Sequence, residues 1–266
     1  MNVFLNMKNK LFLTLLIGLV IFSYTNAQEK MIHSHNDYRQ RLPFYQAYAQ
    51  QLSSIEADIF STDKEDELLV AHDRIELATA PTLDESYIEP IVSLYKLNKG
   101  RAWRGSDRYF VLLIDLKTPA STTLDRLIKK LLQYPEVFDP KVNPYAVRVV
   151  ISGSRPDANT FNDFPSVVSF DGSHADYTSQ QLERIYMISL NFRNYSRWNG
   201  QGTINDDELI KLKEAIAATH VLGKPIRFWG APDGPNAWQA FHQLGIDYIN
   251  TDQPEACAAF FRNMNE

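Results

Sequence analysis

Residues 54–60 read Ser-Ile-Glu-Ala-Asp-Ile-Phe, an apolar run broken by two carboxylates, Glu56 and Asp58. Side chains alternate faces along a β-strand, so Glu56 and Asp58 share one face while Ile55, Ala57 and Ile59 share the other. Two like charges on one strand face resist burial unless a cation holds them. A second apolar run, Leu68-Leu-Val-Ala71, leads directly into His72-Asp73. Upstream, His33-Ser-His-Asn-Asp-Tyr38 places two more imidazoles two residues apart. The pattern points to strand ends that carry a metal site with histidine acid/base chemistry.

Comparable apolar runs recur at Met31–His35, Tyr109–Leu116, Ala146–Ser152, Val167–Phe170, Ile185–Leu190, Pro225–Trp229 and Ile246–Asn250. Helical spacing or helix-starting residues separate them at Leu42–Gln51, Leu124–Tyr134, Ser179–Arg184, Asp206–His220 and Gly234–Leu244. The clearest of these has Asn205 as its N-cap and Gly223 as its stop. Strand–helix alternation with near-continuous apolar strands means a parallel sheet covered on both faces. The count predicts a single α/β domain, a (β/α)8 TIM barrel, with the run ending in His72 as an added β-element. An open doubly wound sheet is the alternative. His33, His35, Glu56, Asp58, Asp115, Lys117, Ser152, Trp229 and Asp252 then fall at or just beyond strand C-terminal ends, where barrel active sites are built.

The chain starts with a segment outside this pattern. Lys8 and Lys10 precede an apolar run from Leu11 to Phe22, and Ser23-Tyr-Thr-Asn-Ala27 follows. These are the parts of a signal peptide over residues 1–27, with cleavage between Ala27 and Gln28. The run is short of the ~20 residues that span a bilayer, so no transmembrane anchor is expected once the leader is cut. The predicted domain is 28–266, and its predicted location is periplasmic or secreted. Loss of Lys8 and Lys10 moves the formal charge from −5 to −7. That balance gives no global attraction to nucleic acid or anionic lipid. The single cysteine, Cys257, excludes an internal disulfide, so stability must come from a core. Nothing in the sequence sets an oligomeric state.

Asp115, in Val111-Leu-Leu-Ile-Asp-Leu-Lys117, again places a carboxylate in an apolar strand, with Lys117 on the same face. Glu56, Asp58 and Asp115 make a hard oxygen site, suited to Mg2+ or Ca2+ rather than Zn2+. His35 and His72 are the candidate proton carriers, with His33 as the alternative first histidine. Imidazole can remove a proton from an attacking hydroxyl or water, or protonate a departing oxygen, near neutrality. A divalent ion and Lys117 would balance charge building on phosphoryl oxygens.

The motifs His-Ser-His-Asn-Asp-Tyr, Ile-Glu-Ala-Asp-Ile, Val-Ala-His-Asp and Ile-Asp-Leu-Lys resemble the glycerophosphodiester phosphodiesterase and phosphatidylinositol-specific phospholipase C-like superfamily. Pro225-Ile-Arg-Phe-Trp229 and Leu244-Gly-Ile-Asp-Tyr-Ile-Asn-Thr-Asp-Gln-Pro254 resemble that family's tryptophan segment and its closing motif. The resemblance implies a divalent metal on Glu56, Asp58 and Asp115, His72 as second catalytic histidine, and His35 or His33 as the first. It also implies a small phosphodiester or phospholipid head group as substrate, with Asn36, Lys117 and Trp229 as binding residues. The chain departs from the family at three points. With His35 as the match, Asn36 stands where many members have arginine, Arg41-Leu-Pro-Phe44 replaces a Glu-Asn-Thr segment, and Asp115 replaces a more usual glutamate. The expected function is an exported, metal-dependent phosphodiesterase acting on glycerol- or inositol-type diesters, its product cyclic or linear. Two other readings compete: a two-zinc barrel hydrolase built on His33, His35 and Asp252, and a non-catalytic binding barrel. The loop Asn191–Trp198 could form an aromatic substrate rim or simply pack.

Overall fold

The computed structural model describes residues 31–264, so the predicted leader lies outside the described residues. Nine strands occur among them: β1 (Met31–Ser34), β2 (Ser54–Ser61), β3 (Leu68–Val70), β4 (Val111–Leu116), β5 (Arg148–Gly153), β6 (Ser169–Gly172), β7 (Ile185–Asn191), β8 (Ile226–Trp229) and β9 (Tyr248–Thr251). Eight are parallel, and β1 pairs with both β2 and β9, which closes the sheet into the predicted barrel. The remaining strand, β3, runs antiparallel on β2, with Ile59 opposite Val70 and Ser61 opposite Leu68. The bond from Ala71 N to Asp58 O continues this pairing and brings His72 beside Asp58.

Helices cover the outside: α1 (Tyr45–Ala49), α2 (Glu89–Leu97), α3 (Ala120–Leu131), α4 (Pro135–Phe138), α5 (Ser179–Leu182), α6 (Asp206–Val221), α7 (Pro235–Leu244) and α8 (Pro254–Met264). The longer ones bury an apolar stripe; in α3 this is Leu124, Leu127, Ile128 and Leu131, the i, i+3, i+4, i+7 spacing of one helix face. Asn205 caps α6 through its side chain, which accepts from Glu208 N at 3.0 Å, and Gly223 follows the helix in the left-handed region. Three helices, α2, α4 and α8, are missing from the sequence reading. All three carry proline in the first turn, where the absent N–H costs no intrahelical bond. Cys257 lies buried on α8, and burial pushes its thiol above the ordinary range.

Inside the barrel the two-residue period stacks side chains in levels. Val111, Leu113, Val150, Met187 and Tyr248 form an apolar floor. Above it lies a polar layer centred on Arg227, which is 3% exposed. Its Nε donates to Ser189 Oγ at 2.9 Å, and its Nη1 lies 2.7 Å from His33 Nε2, 3.1 Å from Asn250 Oδ1 and 3.4 Å from Glu56 Oε2. Nη2 is 3.6 Å from Asp171 Oδ2. Burial first, and then the Arg227 charge, lower the His33 pKa to about 4, so this imidazole is neutral. Burial would favour a neutral Glu56, but the His33 contact and the Arg227 charge outweigh it and hold the carboxyl well below the usual range. Asp171 moves the other way: burial pushes it up to about 6 despite Arg227.

Arg227→Ala would leave two buried carboxylates without their counter-charge. Removing one partner of a buried ion pair costs about 3–5 kcal/mol, and that is the loss of stability expected in urea denaturation. A change within the roughly 0.5 kcal/mol typical of surface substitutions would show that the layer does not hold the barrel.

Candidate active site

At the C-terminal mouth of the barrel the strand register brings the predicted carboxylates together. Asp58 on β2 is the Cα partner of Asp115 on β4, and Asp115 is the partner of Ser152 on β5. Glu56 lies two residues below Asp58 on the same face. One oxygen each from Glu56, Asp58 and Asp115 falls within a sphere where all lie within 4.8 Å of one another. Asp58 Oδ1 is buried and makes no hydrogen bond. An orphaned carboxylate oxygen inside a group of hard oxygen donors, free of thiolate, fits Mg2+ or Ca2+. Lys117 offsets part of the charge, its Nζ lying 2.9 Å from Asp58 Oδ2 and 3.1 Å from Asp115 Oδ1. Burial works against the ammonium form, but Asp115 and Asp58 outweigh it and raise the lysine pKa.

Gly153 ends β5 against this cluster at φ +68°. A Cβ there would lie 2.5 Å from Asp115 Oδ1 and 2.6 Å from Leu116 O, so only glycine allows the approach.

The three histidines separate. His33 is fully buried, with Nδ1 2.7 Å from Ser54 Oγ and Nε2 taken up by Arg227 and Glu56. It supports the floor of the cavity and does not line it. His35 and His72 do line it. His35 Nδ1 is 2.7 Å from Asp252 Oδ1, and its Nε2 lies 4.0 Å from Glu56 Oε2. Burial disfavours the imidazolium, yet the Asp252 hydrogen bond and the Glu56 charge outweigh it and raise the His35 pKa. His72 Nδ1 lies 2.9 Å from Asp58 Oδ2 and 3.2 Å from the Tyr38 hydroxyl, leaving Nε2 for exchange with substrate. The His72 backbone N–H donates to Glu76 Oε2 at 2.7 Å, which fixes the turn that carries it.

Asn36 adopts the left-handed region, φ 47°, which asparagine tolerates, and this turns its side chain beside His35. Its Oδ1 accepts from the Tyr38 hydroxyl at 2.7 Å. Asp37, by contrast, is buried away from the site and accepts from Ser34 Oγ, Phe44 N and Tyr87 OH, holding the loop after β1 in shape. Trp229 stands half-exposed at the end of β8 on the cavity wall. The aromatic residues of the loop Asn191–Trp198 pack inward and do not line the cavity: Phe192 and Trp198 are buried against Phe241, and Tyr195 packs on Phe228.

The cavity measures about 400 Å³. A larger depression of about 520 Å³ lies beside α6, but it lacks the converging carboxylates and imidazoles. Four residues of the site escape the sequence reading. Arg227 lies within the segment noted for Trp229, and a charge inside a four-residue apolar strand was the available signal. Asp171 gave the same signal on β6. Tyr38 sits inside the His-Ser-His-Asn-Asp-Tyr motif without a role, and Arg155 sits in a loop that periodicity cannot place. The two-zinc arrangement does not form. Among the described residues the metal-competent group is all carboxylate, and His33 faces a permanent cation.

A family model described as AIM6-like phosphodiesterase domain matches residues 23–156, and one described as glycerophosphoryl diester phosphodiesterase family matches residues 225–255. The chain is 27% identical to altered inheritance of mitochondria protein 6 of Eremothecium gossypii, over 86% of this chain and 69% of that protein. It is 25% identical to the Arthroderma benhamiae homolog of that protein, over 86% and 83%. A glycerophosphodiester phosphodiesterase structure from Parabacteroides distasonis shares the fold at TM-score 0.57 and 14% identity, covering 90% of this chain and 99% of that one. A Ca2+-dependent phosphatidylinositol-specific phospholipase C from Streptomyces antibioticus does so at 0.53 and 11%, covering 86% and 95%. The first family model spans just over half of the sequence, and the chain belongs to the AIM6-like phosphodiesterase domain family.

Proposed function

We propose that this barrel is an exported, divalent-metal-dependent phosphodiesterase that cleaves glycerol- or inositol-type phosphodiesters by histidine acid/base catalysis. The observation that carries the reading is one cavity in which His35 and His72 flank a three-carboxylate group, with Lys117 against two of its members. Glu56, Asp58 and Asp115 would hold the ion, which when bound supplies positive charge to the phosphoryl oxygens.

The protein's own groups account for the proton transfers. One histidine takes the proton of a neighbouring substrate hydroxyl or of water as it attacks phosphorus. The other gives a proton to the departing alcohol oxygen. Asp252 fixes the His35 ring through Nδ1 and Asp58 fixes the His72 ring through Nδ1, so in both cases Nε2 is the working nitrogen. Lys117 adds a donor for charge on the non-bridging oxygens. Trp229 offers an apolar face to the alcohol portion. The leader at residues 1–27 supports export, and a mature N-terminus at Gln28 by mass spectrometry is the expected result. Protein retained in the cytoplasm with Met1 intact would count against it.

Release of glycerol 3-phosphate or a cyclic phosphate from glycerophosphodiesters should stop with chelator and fall roughly 10²–10⁴-fold in His72→Ala. Activity indifferent to both changes would sink the reading, and tight ligand binding without turnover under any divalent ion would make this a binding barrel. Asp252→Asn should lower kcat roughly tenfold to a hundredfold, part of what acid/base catalysis supplies, while leaving metal affinity in place. An unchanged kcat would remove Asp252 from the mechanism.

A further inference from the structure

We infer that Arg155 is the phosphate-binding cation of this cavity, taking the non-bridging oxygens of the diester on the wall opposite His35; this rests on the phosphodiesterase reading above. A phosphodiester brings a negative charge into a cavity already rich in carboxylates, so a cation must be free to meet it. Three basic side chains besides the histidines line the cavity: Lys117, Arg155 and Arg227. Lys117 is held between Asp58 and Asp115. Arg227 is sealed in the polar layer, with all three of its nitrogens engaged by Ser189, His33, Asn250, Glu56 and Asp171. The end of β1 supplies Asn36, a neutral amide. Among the described residues, the Arg155 guanidinium alone of the three makes neither a hydrogen bond nor an ion pair, though it lines the cavity.

Its placement is built into the sheet. The β4–β5 register pairs Asp115 with Ser152 and Leu116 with Gly153, and Ser154 N then donates to Leu116 O at 2.9 Å. Arg155 therefore leaves β5 one residue beyond the level at which Lys117 leaves β4. The turn that carries it is tight: Arg155 N donates to Gly153 O at 2.8 Å, and Pro156 follows. Gly153 in turn packs on Asp115 more closely than any side chain would allow. The guanidinium is thus anchored to the same strand ends as the carboxylate group. Asp171, an acid on the next strand, meets Arg227 at 3.6 Å and Ser152 at 3.4 Å through Oδ2, and the Arg155 charge acts on it without forming an ion pair. A guanidinium presents a planar fork that fits two phosphate oxygens, a match that an ammonium cannot make.

The test uses the mature chain with Mg2+ and compares wild type with Arg155→Met, Arg155→Gln and Arg155→Lys. Measured are kcat/KM on a glycerophosphodiester, the Kd of glycerol 3-phosphate by calorimetry, and the melting temperature. The Met and Gln variants should melt as wild type and lose roughly 100-fold in kcat/KM, with a matching loss of glycerol 3-phosphate affinity. Lys should recover part of both. Neutral variants within about twofold of wild type on both readouts would overturn the assignment while leaving the phosphodiesterase reading intact. If wild type hydrolyses no phosphodiester, the reading itself fails, and glycerol 3-phosphate binding then decides alone. Binding lost in both neutral variants sustains a phosphate site at Arg155, and binding retained by them rejects it.

Discussion

A permanent cation buried inside a closed barrel is the constraint around which the rest of this molecule is arranged. Arg227 cannot neutralise itself by losing a proton, so the interior must supply acceptors on every side. Ser189, Asn250, Glu56, Asp171 and His33 do so from β7, β9, β2, β6 and β1, strands on both sides of β8. Barrel interiors are usually packed with branched apolar side chains. Here that packing stops at the floor of Val111, Leu113, Val150, Met187 and Tyr248. Above it the polar layer lets the upper barrel stay open as a cavity. Burial together with the same guanidinium keeps His33 neutral, and the His33 contact together with that guanidinium keeps Glu56 ionised, so the electrostatic character of the site is set from below.

Register carries that character to the rim. Parallel pairing places Asp58, Asp115 and Ser152 side by side at one level. The antiparallel β3 then brings His72 in from outside the barrel to the same level, an insertion that eight strand–helix repeats alone would not supply. His35 needs no insertion, since it follows β1 directly, and His35 N bonds to Thr251 O of β9. The two imidazoles therefore arrive from different structural sources and are each oriented by an aspartate from another segment.

Much of this was legible in the sequence because period-two patterns carry both kinds of information. Ile55, Ala57 and Ile59 face the helices while Glu56 and Asp58 face the interior, and that alternation marks strand and site together. All nine strands and the carboxylate group follow from such runs. Sequence spacing cannot rank His33 against His35, because both share a face; depth in the barrel separates them, and depth depends on strand tilt and on Arg227. Arg155 and Tyr38 lie in turns, where no period exists to say which way a side chain goes. Helices α2, α4 and α8 carry proline in their first turn, where a break and a helix start read the same until the following turn is seen.

The charges at the mouth argue for how the site must be completed. Glu56, Asp58, Asp115 and Asp171 face Lys117, Arg155 and Arg227, so four carboxylates meet three cations before any substrate enters. A phosphodiester adds another negative charge to the cavity. Arg155 can meet that charge but is already one of the three cations counted, and Arg227 is committed to the interior and Lys117 to the carboxylates, so two negative charges stay uncompensated. A divalent cation on the three-oxygen group would restore the balance, beside the orphaned Asp58 Oδ1. The donor set selects the kind of ion, since carboxylate oxygens without sulfur favour hard cations. The cavity's charge balance thus calls for a divalent ion, and its ligand chemistry for a hard one.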